Sequence, residues 1–473
     1  VRPVFLNLQS IQKLIQTTTD IEKNGFLIPN QVYLQHIKNM EKVAFTTGIR
    51  FLKISLMPTK KIIIVGAGFA GLRLAQRLNN TEYEVWLLNK QNYHQFQPLM
   101  YQVATARLEP TSISFPLRKV FQKSKNVKIR ITEVLRIDTD NQKVTTTLGD
   151  YSYDYLVISL GCTSNFFGNK NIEKYSFPMK SVPETLQLRN HILQNFENVL
   201  IANTKEEEAL LNFLVVGGGP TGVELAGALA EMKKNVLPKD YPEKDFSKLN
   251  VYLIEGSAHT LNVMSNLAKT TSQKYLEDLG VKVITKTQVT DYNGEVVTLS
   301  SGEQIKTKNV IWAAGVSGNI PNGMPSEIIT RGNRIVVNRY NQVETLGNVY
   351  ALGDIAFMKT PKYENGHPQL ASVALGQADV LANNFKRMLN NKPLQEFEYY
   401  DKGSMATVGK HKAIVDLPNF SFKGRLAWFF WMFLHLMLIL SVKNKFSIFI
   451  NWMMSYFYND STLRVILYPK MKR

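Results

Sequence analysis

The hydrophobic pattern is sharpest from residue 61 onward. An apolar, β-branched run, Lys61-Ile62-Ile63-Ile64-Val65, feeds Gly66-Ala67-Gly68-Phe69-Ala70-Gly71. Residues 72–78 then space their apolar positions like a helix, so the pattern predicts strand, tight turn, helix. The same order returns at 211–216, in Gly217-Gly218-Gly219-Pro220-Thr221-Gly222, and in a helical run to about 236. Pro220 suits a first helical turn, where no N–H is needed. Further strands are predicted at 84–89, 127–138, 143–148, 155–159, 251–255, 309–315 and 348–352, and a helix at 371–389. Residues 92–101 read as an aromatic loop with a short helix. The Pro-, Lys- and Asp-rich stretch 237–248 reads as a surface insertion.

Each glycine turn has the G-x-G-x-x-G spacing of a dinucleotide site. The first glycine permits the turn, the second lets backbone approach a pyrophosphate, and the third lets the helix pack against the strand. One copy would be weak evidence; two argue for two bound dinucleotides, one of them a flavin. The strand ends that follow should reach the two riboses. Asn89 stands at the first, where an acid is usual, and can still hydrogen-bond a hydroxyl. Glu255 stands at the second, which favours NADH over NADPH because a carboxylate repels a 2′-phosphate. Gly353-Asp354, after the strand at 348–352, reads as a third flavin contact, with Asp354 accepting from the ribityl chain. Lys90, Val134, Gly161 and Gly315 complete the candidate cofactor contacts.

Near the C-terminus the pattern changes. Residues 426–440 are apolar on nearly every face except at His435, and 446–458 are aromatic and apolar, with Lys443 and Lys445 between the runs. Each run is short of the roughly 20 residues a spanning helix needs. Aromatic rings flanked by Lys and Arg suit an in-plane interfacial hairpin. One short spanning helix and a buried dimer interface are the competing readings.

Composition adds a partner and a compartment. The net charge of +18 over 473 residues requires an anionic partner. No helix-turn-helix, zinc-finger or stacking-platform signature points to nucleic acid, and an anionic membrane surface fits the C-terminal hairpin. A single cysteine, Cys162, excludes an internal disulfide and a CxxC pair and fits a reducing cytoplasm. No signal-peptide pattern opens the sequence, and the scattered histidines, His94 and His435 among them, read as packing. Residues 1–56 are polar and aperiodic; they read as lying outside the working protein or as a poorly ordered tail, with a targeting or partner-binding arm as the alternative.

With these features assembled, the chain resembles the type II NADH:quinone oxidoreductases over about 58–473. Shared stretches are Asn92 through Thr105, Asn165-Phe166-Phe167-Gly168, Gly217 through Glu231, Leu237 through Pro242, and Gly403 through Gly409. The resemblance implies an α/β fold with two Rossmann-like domains and a C-terminal helical membrane-anchoring segment. The FAD domain (57–175 and 326–405) would be interrupted by the NADH domain (176–325), with 406–473 on the membrane. It implies that Gly66, Gly68, Phe69, Ala70 and Gly71 hold FAD, and that Gly217, Gly219, Thr221 and Gly222 hold NADH. Hydride would pass from NADH to flavin, and two electrons to a membrane quinone, at the cytoplasmic face of the cell membrane. Glu224 matches a glutamate that couples the nicotinamide and quinone sites. Two glutamines that the family places by flavin and quinone are replaced here by Ser372 and Gly376. That departure keeps open a second function, a membrane-bound redox sensor or low-turnover paralogue; a soluble-acceptor flavoprotein reductase is a third.

Overall fold

The structure, a computed structural model, describes residues 59–458 and 463–466, so the expectations for 1–56 lie outside the described residues. The first unit begins with β1 (Lys61–Val65), which turns into α1 (Phe69–Arg77). Next come β2 (Glu84–Asn89), β3 (Val127–Ile131) and β4 (Tyr155–Ile158), all in one parallel sheet. Ile62, Ile63 and Ile64 are fully buried on both faces of β1. That is why the strand reads as a continuous apolar run and not as an alternation. The single strand expected over 127–138 is in fact two. Beyond β3 the chain bends at Thr132, whose hydroxyl bonds that of Thr147 at 2.9 Å. Val134–Asp138 then joins a separate antiparallel sheet.

The second unit repeats the plan. β5 (Asn212–Val216) turns into α2 (Pro220–Asn235), followed by β6 (Asn250–Ile254), β7 (Val281–Ile284) and β8 (Asn309–Trp312). These strands form a parallel sheet in the order β8-β5-β6-β7, with Phe177–Pro178 at the edge beside β8. Residues 237–248 are not wholly a surface insertion. Leu237 and Phe246 are buried, and the Phe246 ring meets Phe196 edge-on at 5.7 Å. The charged stretch is therefore anchored by its own apolar residues.

The chain then returns to the first sheet. β9 (Val349–Ala351) pairs in parallel with β4, so a strand from beyond the second sheet completes the first. α3 (Ala371–Leu389) packs beside α1, where Asp379 accepts from Arg73 and Arg77. Three antiparallel strands follow, β10 (Ser404–Thr407), β11 (Ala413–Asp416) and β12 (Ser421–Gly424), and then α4 (Arg425–Leu438) and α5 (Val442–Tyr458). One side of this helix pair buries Trp428, Trp431, Met432, Ile448 and Trp452. The other side exposes Phe430, Phe433, Met437, Phe446 and Phe457. No helix among the described residues is long and apolar enough to cross a membrane.

Candidate functional site

The two glycine turns are built alike. Gly66 has φ +97° and Gly217 has φ +112°, a region closed to most side chains. A Cβ on Gly71 would lie 1.9 Å from the Gly66 carbonyl oxygen, and one on Gly222 would lie 1.9 Å from that of Gly217. Each helix therefore starts directly on its strand. The middle glycines differ: a Cβ on Gly68 meets only Ser159 O at 4.0 Å, and one on Gly219 meets nothing within 4 Å. These two positions are open to whatever occupies the turn.

A side chain from the neighbouring strand braces each turn. Asn89 Oδ1 accepts from the Ala67 N–H at 2.8 Å, and its Nδ2 donates to the Gln91 carbonyl at 2.6 Å. Glu255 Oε2 accepts from the Gly218 N–H at 2.5 Å, and its Oε1 accepts from the Ser257 N–H at 2.6 Å. Asn89 thus keeps the bond to the turn that its acidic counterpart makes, without the charge.

A cleft of about 650 Å³ opens over the first turn and is lined by Gly66 through Ala70, Gly161, Gly353 and Asp354. A side hollow of about 210 Å³ is shared by Asn89, Lys90 and Val134. On its far wall the cleft reaches the second unit at Pro220, Thr221 and Glu224. Gly71, Gly217, Gly219, Gly222, Glu255 and Gly315 do not line it. Gly71, Gly217 and Gly222 shape their turns, Glu255 braces the second, Gly219 stays open, and Gly315 seats the Phe167 ring, which a Cβ would meet at 2.8 Å. Asp354 is fixed from two sides: the Cys162 thiol donates to its carboxylate at 3.1 Å, and Gln369 donates to its carbonyl at 2.9 Å. Burial pushes the Cys162 thiol up to about 12, so it stays a protonated donor.

Glu224 sits in the first turns of α2 and is buried. Thr407, on β10, donates to its Oε1 through the backbone N–H at 3.2 Å and the hydroxyl at 3.4 Å. Burial outweighs those bonds and pushes the carboxyl up to about 8. The network continues outward. Thr407 Oγ1 lies 2.9 Å from the Tyr101 hydroxyl, which accepts from Gln102 at 2.9 Å; Gln102 in turn accepts from the Trp452 indole at 2.7 Å. A carboxyl at the cleft wall is thereby tied to the C-terminal helix pair.

Ser372 and Gly376 lie elsewhere. The cleft takes Leu370, Ala371 and Ala374 from this part of α3, whereas Ser372 Oγ pairs with the Tyr399 hydroxyl at 2.9 Å. A Cβ on Gly376 would come within 3.0 Å of the Phe397 ring. The face carrying these small residues seats the segment around 397–399. Gln377, turned inward, accepts from the Gly353 N–H at 2.7 Å and so holds the turn beside Asp354. Gln377 lies about 100° round the helix from Gly376, so it does not share the face of Ser372 and Gly376. His435 also lines the cleft, and nothing in the sequence distinguished it from packing.

The cleft passes a simple test for a flavin dinucleotide: an open middle glycine, a volume of about 650 Å³, and a fixed carboxylate following β9, two strands across the sheet from β1. Comparison with known proteins points the same way. Residues 60–378 match the pyridine nucleotide-disulphide oxidoreductase family, and residues 401–459 match the NDH2 C-terminal domain. The type II NADH:quinone oxidoreductase Ndh of Mycobacterium tuberculosis is 31% identical over 416 residues, covering 84% of this chain and 88% of that protein. The Staphylococcus aureus type II NADH:quinone oxidoreductase is 31% identical over 362 residues, covering 75% and 89%. NDH2 from Plasmodium falciparum, solved in complex with NADH, shares the fold with a TM-score of 0.79 at 21% identity, covering 87% of this chain and all of that one. With that identity over most of both chains, beside a cleft that both units line, the chain belongs to the type II NADH:quinone oxidoreductases.

Proposed function

We propose that this protein oxidises NADH through bound FAD and delivers two electrons to a membrane quinone, without pumping protons. The observation that carries this is the placement of Glu224 and Thr221, from the second turn, on the wall of the cleft opened by the first. Gly66, Gly68, Phe69, Ala70 and Gly71 would hold the FAD pyrophosphate, Asp354 the ribityl chain, and Asn89, Lys90 and Val134 the adenosine end. Gly217, Gly219, Pro220, Thr221, Gly222 and Glu255 would hold NADH. The flavin, when bound, supplies the chemistry of accepting hydride from a nicotinamide and passing electrons on. The chain's part is to align two planar groups, exclude water and keep a proton at Glu224. Thiol chemistry has no footing, since Cys162 is the sole cysteine of the sequence.

The exposed apolar side of α4 and α5 would lie in the headgroup region of a bilayer, at its cytoplasmic face. Lys443 and Lys445 begin α5, and the net charge of +18 favours anionic lipid. A homodimer is the competing use of that surface. In this reading 57–175 and 326–405 form the FAD domain, 176–325 the NADH domain and 406–473 the membrane region. The deciding experiment is an absorbance spectrum of the purified protein in lipid vesicles, taken alone, after NADH, and after a water-soluble quinone. A yellow protein that bleaches and recolours supports the proposal. Bleaching without recolouring favours a redox sensor, and a colourless protein that refuses FAD ends both readings.

A further inference from the structure

The wall of the cleft nearest the helix pair carries His435, on α4. Its Nδ1 lies 2.8 Å from the carbonyl oxygen of Trp431, one turn earlier. A carbonyl only accepts, so Nδ1 carries the ring's hydrogen and Nε2 keeps a bare lone pair. Two rings hold the imidazole in that attitude. It stacks on Trp431 at 4.3 Å and stands edge-on to Phe96 at 6.1 Å. Burial draws its pKa down to about 4, so the ring is neutral near pH 7. Among the described residues His435 bonds the protein through Nδ1, which leaves Nε2 for the cleft.

An acceptor facing the cleft is selective between the two redox states of a quinone. The oxidised ring has two carbonyl oxygens, which only accept, and a bare imidazole nitrogen repels them. The reduced ring has two hydroxyls, and each donates. We infer that His435 is a contact specific to the reduced acceptor: its Nε2 accepts a hydrogen bond from a hydroxyl of the hydroquinone and offers nothing to the quinone. The inference rests on the quinone reading above. No bond is made or broken at the imidazole. The overall reaction remains NADH + H⁺ + quinone → NAD⁺ + hydroquinone, and His435 sets how firmly the product is held.

The test uses the FAD-loaded protein in lipid vesicles with a short-chain quinone and its hydroquinone. Three quantities are read: the rate of flavin bleaching by NADH, the KM for quinone, and the inhibition constant of added hydroquinone. His435→Phe keeps a flat ring for the stack and removes the acceptor. Hydroquinone inhibition should weaken about tenfold, the scale of one lost hydrogen bond, a larger factor than any change in the other two quantities. His435→Gln, which returns an oxygen acceptor, should recover much of the inhibition and guards against misfolding of the Phe variant. Unchanged inhibition in His435→Phe with normal bleaching overturns the inference. So does a parallel shift in KM and inhibition constant, which is what mere packing would give. Wild-type protein that bleaches but is never reoxidised by quinone instead defeats the acceptor reading beneath it.

Discussion

Glu224 and Thr407 lie 183 positions apart, yet the backbone N–H of Thr407 donates to the Glu224 carboxyl at 3.2 Å, away from bulk water. This joins the helix that follows the second glycine turn to β10, the first of the three antiparallel strands that lead into the C-terminal helix pair. The glutamate is therefore a joint between the second glycine-turn unit and the C-terminal segment, as well as a wall of the cleft.

Its raised pKa fixes the sign of a stability change. The carboxyl titrates near about 8 when folded, against an ordinary value of 4.5, because burial disfavours the charged form. The folded protein thus holds a proton that the unfolded chain releases between those values. Stability from this group is whole below the lower value and declines as pH rises to the upper one. Glu224→Gln stays neutral throughout and can still accept from Thr407. The variant's Tm should exceed that of wild type at pH 8.5, with the gap closing by pH 5. A gap independent of pH would mean that Glu224 is not held protonated.

Gly376 gives a prediction opposite to the one the sequence encouraged. On the redox-sensor or low-turnover reading, restoring glutamine at 372 and 376 should raise turnover. The Phe397 ring, only 3.0 Å from where a Cβ would stand, closes that space. Gly376→Gln must shift the buried Phe397 ring and overpack this contact, at about 1–3 kcal/mol. Ser372→Gln must displace the bonded Tyr399 hydroxyl. The double variant should melt lower than wild type, with no gain in quinone reduction; a stable, faster enzyme would refute this account.

Much of the architecture was legible because it rests on local rules. β1 and β5 are β-branched runs ending in glycines whose geometry tolerates no side chain, and such signals survive without knowledge of the partner strands. The helix pair was equally plain, since apolar residues on all faces cannot belong to a solvated helix. What sequence could not convey was facing. Ser372 and Gly376 share one side of α3 by spacing alone, but whether that side meets the cleft or the segment at 397–399 depends on a tertiary choice. Leu237 and Phe246 were obscured in the same way, by the charges around them. Asn89 read as a hydroxyl partner at the ribose without the usual charge, and only its bond to Ala67 shows that the side chain also braces the turn.

The middle and last glycines of the first turn should separate folding from flavin binding. Gly71→Ala would set a methyl 1.9 Å from the Gly66 carbonyl oxygen, so strand and helix must part. That variant should lose both stability and flavin. Gly68→Ala meets only Ser159 O at 4.0 Å, and the polypeptide should fold with a normal circular dichroism spectrum. Its methyl projects where the pyrophosphate must approach, so FAD retention should fall about tenfold or more. If both variants keep FAD equally, the turn is not the pyrophosphate site.

The last prediction concerns the exposed side of the helix pair. Phe433 is 65% exposed and Phe446 67% exposed, one on each helix, while Trp431 and Trp452 on the opposite side meet as tilted rings 5.1 Å apart, and the Trp452 indole donates to Gln102 in the body. Burying a phenylalanine is worth about 1.5–3 kcal/mol, so one aspartate on this face should weaken membrane binding about tenfold. Phe433→Asp plus Phe446→Asp should nearly abolish co-sedimentation with anionic vesicles. Neither position contributes to the buried side, so Tm and bleaching by NADH should stay at wild-type levels. Raising salt to 0.5 M should weaken the wild type only in part, because screening removes the headgroup attraction and leaves the apolar one. If the double variant stays on vesicles but changes from dimer to monomer in sedimentation, the face serves a second copy of the chain, and the bilayer is met elsewhere.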